Sequence, residues 1–263
     1  MKNIVVCIKG VPVPGSVQVD PETNTLKRES AELILNPNDL PALEMAIRLK
    51  EKYGAEVTAI SMGPPNVIPV LRRAYAMGCD RIILLSDRAF AGADTLATSY
   101  VLARALEKIF NYDLVLMGLS SIDGETAQVP PETAAILGIP SVTNVLEVRK
   151  VENFFVVLRE TEYGKEELEV EGQLVCSVSP QAFDYCRPCS LKRLIEVKDK
   201  DPEIWTASDL QASPDRLGLK GSPTRVEDVF EKKLDVKGVV IEGEPLDLAK
   251  KLIEVLKDKE VVK

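Results

Sequence analysis

The sequence predicts an open, doubly wound α/β sheet, mostly parallel, and three observations carry that prediction. Short unbroken apolar runs recur through the first half, at 4–8 (IVVCI), 57–61 (VTAIS), 82–85 (IILL) and 114–117 (LVLM). Runs of this length without polar alternation fit strands buried on both faces of a parallel sheet. Amphipathic segments of helical period separate them, and such alternation implies right-handed crossovers. From Val142 onward the texture changes to partly alternating β-rich runs, which predict an antiparallel meander completing the domain.

Each element has its local reason. In the segment NDLPALEMAIRLKEKYGA, Leu40, Leu43 and Ile47 share a helical face, Asn38 or Asp39 stands as N-cap, and Gly54 stops the helix. VIPVLRRAYAMG and DTLATSYVLARALEKI follow the same logic, the second capped by Asp94. In the meander, turn signals fall at Glu152-Asn153 and at Tyr163-Gly164-Lys165. Beyond Lys198 the chain is rich in Pro, Asp and Lys and poor in periodicity, so it is not expected to build its own core. It ends in an amphipathic helix (PLDLAKKLIEVLKDK) with Leu246, Ile253 and Leu256 among its apolar positions. The expected division is therefore 1–197 for the α/β domain and 198–263 for an extension lying on that domain or on a partner.

Composition removes whole classes of function. The net charge of -8 argues against nucleic acid, which selects clustered Lys and Arg. No stretch has the apolar length to span a bilayer, and the first apolar run is too brief for a secretion signal. Five cysteines in 263 residues are no disulfide framework, so the expected location is the cytoplasm. The chain has no histidine, which excludes Ser-His-Asp, Cys-His and His-ligated metal chemistry. Proton transfer falls to carboxylates, Lys, Tyr, Cys or a bound cofactor.

In doubly wound sheets ligands sit outside the carboxyl ends of the strands. Here those ends run into loops of special composition: KGVPVPG, SMGPP, SDRAFAGADT and GLSSIDGET. Turn punctuation alone would also explain their Gly and Pro. The loop 118–129 is the most informative. Gly118 and Gly124 are expected to let the backbone approach a ligand, and Ser120, Ser121, Thr126 and Gln128 supply hydrogen-bonding side chains. The start of the following helix is expected to offer amides to phosphate. Asp123 and Glu125 are awkward beside a pyrophosphate; they cap the helix or face a ribose or a flavin. Neither dinucleotide nor P-loop fingerprint is present.

Taken together, VVCIKGVP, NPNDLPALEMAIRLKE, ISMGPP, RRAYAMGCDRIILLSD, YDLVLMG, SIDGETAQVPPETAAILGIP and RPCSLKRLI resemble the β subunit of electron-transfer flavoproteins over essentially the whole chain. The resemblance implies a Rossmann-like, adenine-nucleotide-binding domain whose C-terminal extension wraps an α subunit. It places nucleotide contacts at Cys7, Asn36, Asp39 and Met62. It adds the loop residues Gly118, Ser120, Ser121, Asp123, Gly124, Glu125, Thr126, Ala127, Gln128 and Val129. In the ordinary branch of the family this cleft holds AMP; in the electron-bifurcating branch it holds a second FAD. LLSDRAFAGADTLATSYVLA and IDGETAQV resemble the bifurcating branch, which implies FAD, with Arg88, Asp94, Thr95 and Thr98 toward the flavin. Read from the residues alone, Cys7 is equally a buried small hydrophobe and Asp94 equally a helix cap.

The chemistry so implied is hydride uptake from NADH, one electron passing through the α-subunit FAD and the other to a low-potential acceptor such as ferredoxin or flavodoxin. A dehydrogenase or quinone reductase is the further partner. The segment DYCRPCSLKRL departs from the family pattern but keeps Arg187 and Leu191 as partner-binding candidates. Its Cys186 and Cys189 form a C-x-x-C that leaves open a metal half-site, a reversible disulfide or inert thiols, the last being the ordinary case. Two rival readings are a stand-alone adenine-nucleotide-binding protein and a thiol-redox scaffold.

Overall fold

The computed structural model describes residues 1–13, 32–224, 238 and 240–259. The chain divides into two compact units, Met1–Glu227 and Asp228–Lys263. The part of the KGVPVPG loop beyond Val13 lies outside the described residues, as does most of 225–239.

In chain order the first unit contains β1 (Asn3–Cys7), β2 (Gly10–Pro12), β3 (Leu33–Leu35), α1 (Leu40–Tyr53), β4 (Glu56–Met62), α2 (Ile68–Met77) and β5 (Arg81–Leu85). There follow α3 (Thr95–Ile109), β6 (Leu114–Gly118), α4 (Val129–Leu137), β7 (Ser141–Val151), β8 (Phe154–Thr161), β9 (Gly164–Glu171), β10 (Leu174–Val178), α5 (Leu191–Glu196) and β11 (Glu203–Trp205). Among the described residues nine strands form one sheet in the order β11-β5-β4-β1-β6-β10-β7-β8-β9, while β2 and β3 make a small antiparallel ribbon. Pairing is parallel from β11 through to β7, and β7-β8-β9 are antiparallel.

The expected doubly wound sheet is present, with one refinement and one shift of boundary. The second-half strands are not all meander. β10 inserts between β6 and β7, parallel to both, and all five of its residues are buried. Its run LVCSV is continuous like the first-half strands because, like them, it is covered on both faces. The meander turns fall where expected, Glu152 adopting φ 46° and Gly164 φ 134°.

The compact unit also continues past residue 198, to Glu227. β11 adds a parallel strand beside β5, and Trp205, Leu210 and Leu217 are buried against α3 and β5. The segment lacks periodicity because it contributes isolated apolar anchors to an existing core rather than a helix or strand face of its own. Further ties hold it down. Tyr100 Oη accepts the Ser213 N–H at 2.9 Å, and the Arg216 guanidinium stacks 3.9 Å from the Tyr100 ring. Gly218, at φ 50°, runs so close to the chain before α3 that a Cβ would stand 2.5 Å from Ala89 O.

The core has two sides. Ile4, Val6, Leu43, Ile47, Leu71, Leu84 and Leu116 fill the side covered by α1 and α2. Val5, Ile60, Ile83, Leu85, Leu106 and Met117 fill the side covered by α3 and α4. Successive residues of β1 alternate between the two, as the two-residue strand period requires. In the second unit, α6 (Pro245–Asp258) is the expected amphipathic helix, with Leu246, Leu252, Ile253 and Val255 exposed.

Chain truncation tests the boundary. Ending the chain after Glu227 is expected to leave the melting temperature of the first unit unchanged. Ending it after Lys198 removes Trp205, Leu210 and Leu217, whose burial is worth about 1.5–3 kcal/mol each. That chain should melt about 10 °C lower or more, and equal melting of the two truncations would place the boundary at 198.

Candidate functional site

The chain builds β4, β5 and β11 on one side of β1 and β6, β10 and β7 on the other. The reversal falls between β1 and β6, and in such sheets the crevice outside the carboxyl ends at that point is the ligand site. Residues following β1, the 3-10 turn Pro37–Asp39 and the loop after β6 meet there.

Asp39 is the floor of the crevice. Expected as a helix cap, it makes no capping hydrogen bond to α1. Its carboxylate is diverted to the end of β1, where Oδ2 accepts the Lys9 N–H at 2.7 Å. Oδ1 accepts from Asn36 Nδ2 at 2.9 Å, and the Gly118 N–H also faces the carboxylate. Burial pushes the Asp39 pKa up to about 7, against the opposing pull of these donors and of the Lys9 charge.

Asn36 is buried too and joins turn to loop. Its Nδ2 donates to Ser120 O at 3.0 Å and its Oδ1 accepts the Ile122 N–H at 3.3 Å. Asn38 Nδ2 reaches Ser120 Oγ at 3.3 Å. Asn36, Asp39, Gly118, Ser120, Ser121 and Asp123, all expected in the site, therefore belong to one network. Lys9, which sequence reasoning left out, sits at its centre. Its Nζ lies 2.7 and 2.9 Å from the two Asp123 oxygens and 3.3 Å from Ser121 Oγ.

The glycines divide differently from expectation. Gly118 is the close-approach residue: a Cβ there would stand 2.1 Å from Asp39 Oδ1 and 2.6 Å from Asn38 O. Gly124 has no left-handed backbone, and a Cβ would meet only Ser121 Oγ, at 3.5 Å. The left-handed residues of the loop are Glu125 and Ala127, at φ 51° and 54°. Each such conformation costs roughly 1–2 kcal/mol in a residue with a Cβ, and strain of this kind gathers at ligand-holding loops. Residues 123–128 are all exposed.

The start of α4 offers fewer amides than expected. Pro130 and Pro131 have no N–H, and the Glu132 N–H donates to Gln128 O. Val129 opens the helix, and its carbonyl accepts from Thr133 Oγ1 at 2.7 Å.

A second polar cluster adjoins the loop where α3 begins. Thr95 Oγ1 lies 3.3 Å from Gln128 Oε1 and 3.2 Å from Glu132 Oε1, while the buried Ser99 hydroxyl donates to Glu132 Oε2 at 3.0 Å. Asp94 caps α3 by accepting the Ala97 N–H at 3.0 Å. Its other oxygen accepts the Thr224 N–H and hydroxyl at 3.0 and 2.8 Å, and its own N–H donates to Ser222 Oγ. Burial opposes the charge on Asp94, but these donors outweigh it and hold the carboxyl below its ordinary range. Thr98 is half-buried in the first turn of α3, and Arg88 is exposed in the turn Arg88–Phe90. Cys7 and Met62 end β1 and β4 at the crevice edge; burial, with Asp39 nearby, pushes the Cys7 thiol up, away from the thiolate. Ser222, Thr224 and Glu132 were not legible as site neighbours, since they are joined only by tertiary packing.

Comparison with known proteins gives the family of this chain. The electron transfer flavoprotein domain pattern matches residues 23–210. The chain is 42% identical to the electron transfer flavoprotein subunit beta of Clostridium acetobutylicum, over 99% of this chain and all of the relative. It belongs to the β-subunit family of electron transfer flavoproteins. It is also 40% identical to the caffeyl-CoA reductase-Etf complex subunit CarD of Acetobacterium woodii, over 99% of this chain and all of that one. The FixA protein of Azorhizobium caulinodans is 40% identical over 87% of this chain and 84% of its own length.

In this electron transfer flavoprotein subunit the candidate partner segment is held by an internal clasp. Arg187 donates through Nε to Glu44 at 2.9 Å and through Nη1 to Glu51 at 2.5 Å, and its N–H reaches Glu44 at 3.0 Å. Glu44 is buried, yet Arg187 and Arg48 outweigh that burial and hold its carboxyl below the ordinary range. Arg187 thus faces inward, whereas Tyr185, Leu191 and Ile195 beside it are more than 60% exposed. Cys186 and Cys189 are free, half-buried thiols, and Cys189 Sγ donates to Arg73 O at 3.8 Å. Among the described residues no cluster of three or more Cys, Asp or Glu is placed to hold a metal.

Two measurements check this floor. Gly118→Ala should destabilise the fold by about 1–3 kcal/mol through overpacking, whereas Gly124→Ala should change it by less than about 0.5 kcal/mol, both read from urea unfolding. Asp39 has a folded pKa above its ordinary value of 3.8. Its contribution to stability is therefore full below about pH 4 and is lost as pH rises through about 7. Wild-type stability relative to Asp39→Asn should fall across that window, and a flat difference would show that burial does not perturb this carboxyl.

Proposed function

We propose that this β subunit works in a heterodimer with an electron transfer flavoprotein α subunit and that its crevice holds FAD in an electron-bifurcating complex. The observation that carries the reading is the pair of adjoining polar stations. One lies over Asn36, Asp39, Ser120 and Lys9, the other where Thr95 meets Gln128 and Glu132. AMP would use the first alone, while FAD has a second half to place at the start of α3. The residues fit such a group: the exposed, left-handed Glu125 and Ala127 set the loop for a ligand rather than for the core. Near-full-length similarity to CarD, and to the acryloyl-CoA reductase electron transfer subunit gamma of Anaerotignum propionicum at 36% identity, supports the same branch.

FAD, when bound, would supply the redox chemistry: hydride uptake from NADH and delivery of the two electrons, one to the α-subunit FAD and one to a low-potential acceptor such as ferredoxin or flavodoxin. This chain binds and orients. Ser120, Ser121, Asn36 and the loop 123–129 hold the adenosine and phosphate half. Thr95, Thr98 and Gln128 border the flavin half, with Asp94 fixing the first turn of α3. Arg88 stands at the outer rim. No protein acid or base is needed for hydride transfer, which suits a chain without histidine.

The exposed apolar stripe of α6 is the surface that wraps the α subunit. Leu191 with Tyr185, presented by the Arg187 clasp, faces a reductase, dehydrogenase or quinone reductase. Among the described residues no helix is long and apolar enough to cross a membrane, and a cytoplasmic complex with free cysteines fits.

Acid extraction of the complex with its α subunit tests the cofactor. Two FAD per heterodimer is the expected result; one FAD and one AMP would assign the chain to the ordinary branch.

A further inference from the structure

We propose that Lys9 is the phosphate-recognising residue of the crevice and that Asp123 occupies its ammonium until an adenine nucleotide arrives, whose phosphate then takes Lys9 from the carboxylate. The inference rests on the nucleotide reading above and deepens it.

Position is the first support. Lys9 follows β1 and Asp123 follows β6, and these strands lie side by side at the point where sheet building reverses. A ligand outside the carboxyl ends of β1 and β6 lies across the line joining the two side chains. The pair spans that crevice at 2.7 Å. Both side chains are more than a third exposed, and an ion pair so exposed holds only loosely.

Anchoring is the second. The Lys9 N–H donates to Asp39 and its carbonyl accepts the Asn36 N–H at 2.9 Å, so the flexible ammonium swings on a fixed stem. Scarcity of other cations is the third. Neither 36–39 nor 118–129 contains a Lys or Arg, and the two prolines opening α4 carry no N–H. A phosphate seated there meets Asp123 and Glu125 as like charges, and among the described residues Lys9 is the cation of the network that offsets them. The same exchange explains why a carboxylate stands in a phosphate loop: Asp123 keeps Lys9 paired and aimed across the crevice.

Titration calorimetry of the full-length chain with ADP and with adenosine tests this. Lys9→Met is expected to weaken ADP about tenfold or more, the range of a charge-assisted hydrogen bond, and to leave adenosine unchanged. Lys9→Arg should keep most of the ADP affinity. Asp123→Asn, which removes the competitor, should tighten ADP by up to about fivefold. Weaker ADP binding by Asp123→Asn would overturn the proposal, because the carboxylate would then be a ligand contact. Unchanged ADP binding by Lys9→Met, or an equal loss of ADP and adenosine, would overturn it too. A wild-type chain that binds neither ADP, adenosine nor FAD would instead sink the nucleotide reading itself.

Discussion

A carboxylate buried at the end of the central strand sets the terms for this site. Asp39 is 5% exposed, and a group so placed must be met by donors or lose its charge. The donors come from three separate places: the Lys9 N–H after β1, the Asn36 amide in the turn before α1, and the Gly118 N–H at the end of β6. Meeting them ties the turn before α1 to the ends of two strands that already lie side by side. It also dictates glycine at 118, because the carboxylate oxygen occupies the space a Cβ would need. The crevice is thus rigid where its floor lies and strained only in the exposed arc above it.

What could be read from the sequence followed from local rules. Continuous apolar runs, helix stops at glycine and the cap at Asp94 each leave a short-range signature, and the doubly wound sheet follows from them. β10 broke the expected meander because its parallel partners are far away in sequence, and a buried run of five residues does not announce its direction. The segment 199–224 was opaque for a related reason: Trp205, Leu210 and Leu217 pack singly into a core made by other elements, leaving no period to detect. Within the site, polar loop residues were recognisable by type. Which glycine is crowded, and that Lys9 faces Asp123, depends on the register of β1 against β6, which no local pattern encodes.

Asp94 shows how two readings of one residue can both be physical. A carboxylate at a helix start serves as a cap, and here one oxygen does so. The other oxygen takes the backbone and hydroxyl of Thr224, so the chain segment that leads toward the second unit is tied to the first turn of α3. The edge of the crevice and Thr224 therefore share an anchor, and the two cannot be repositioned independently without breaking hydrogen bonds to a charged acceptor. With its oxygens so committed, Asp94 acts on this edge of the crevice by holding α3 in place.

The same economy applies at the partner segment. Arg187 was expected to meet another protein, yet its guanidinium is engaged by Glu44 and Glu51 on α1. Glu44 is buried, so its charge demands a cation from this chain whether or not a partner is bound. An arginine so engaged makes a poor recognition group and a good buckle: it presses the stretch 186–189 onto the domain while Tyr185, Leu191 and Ile195 stay in solvent. Those exposed apolar side chains gain nothing for the isolated fold. Their placement on a clamped base, rather than on a loose loop, would lower the ordering cost of any docking there.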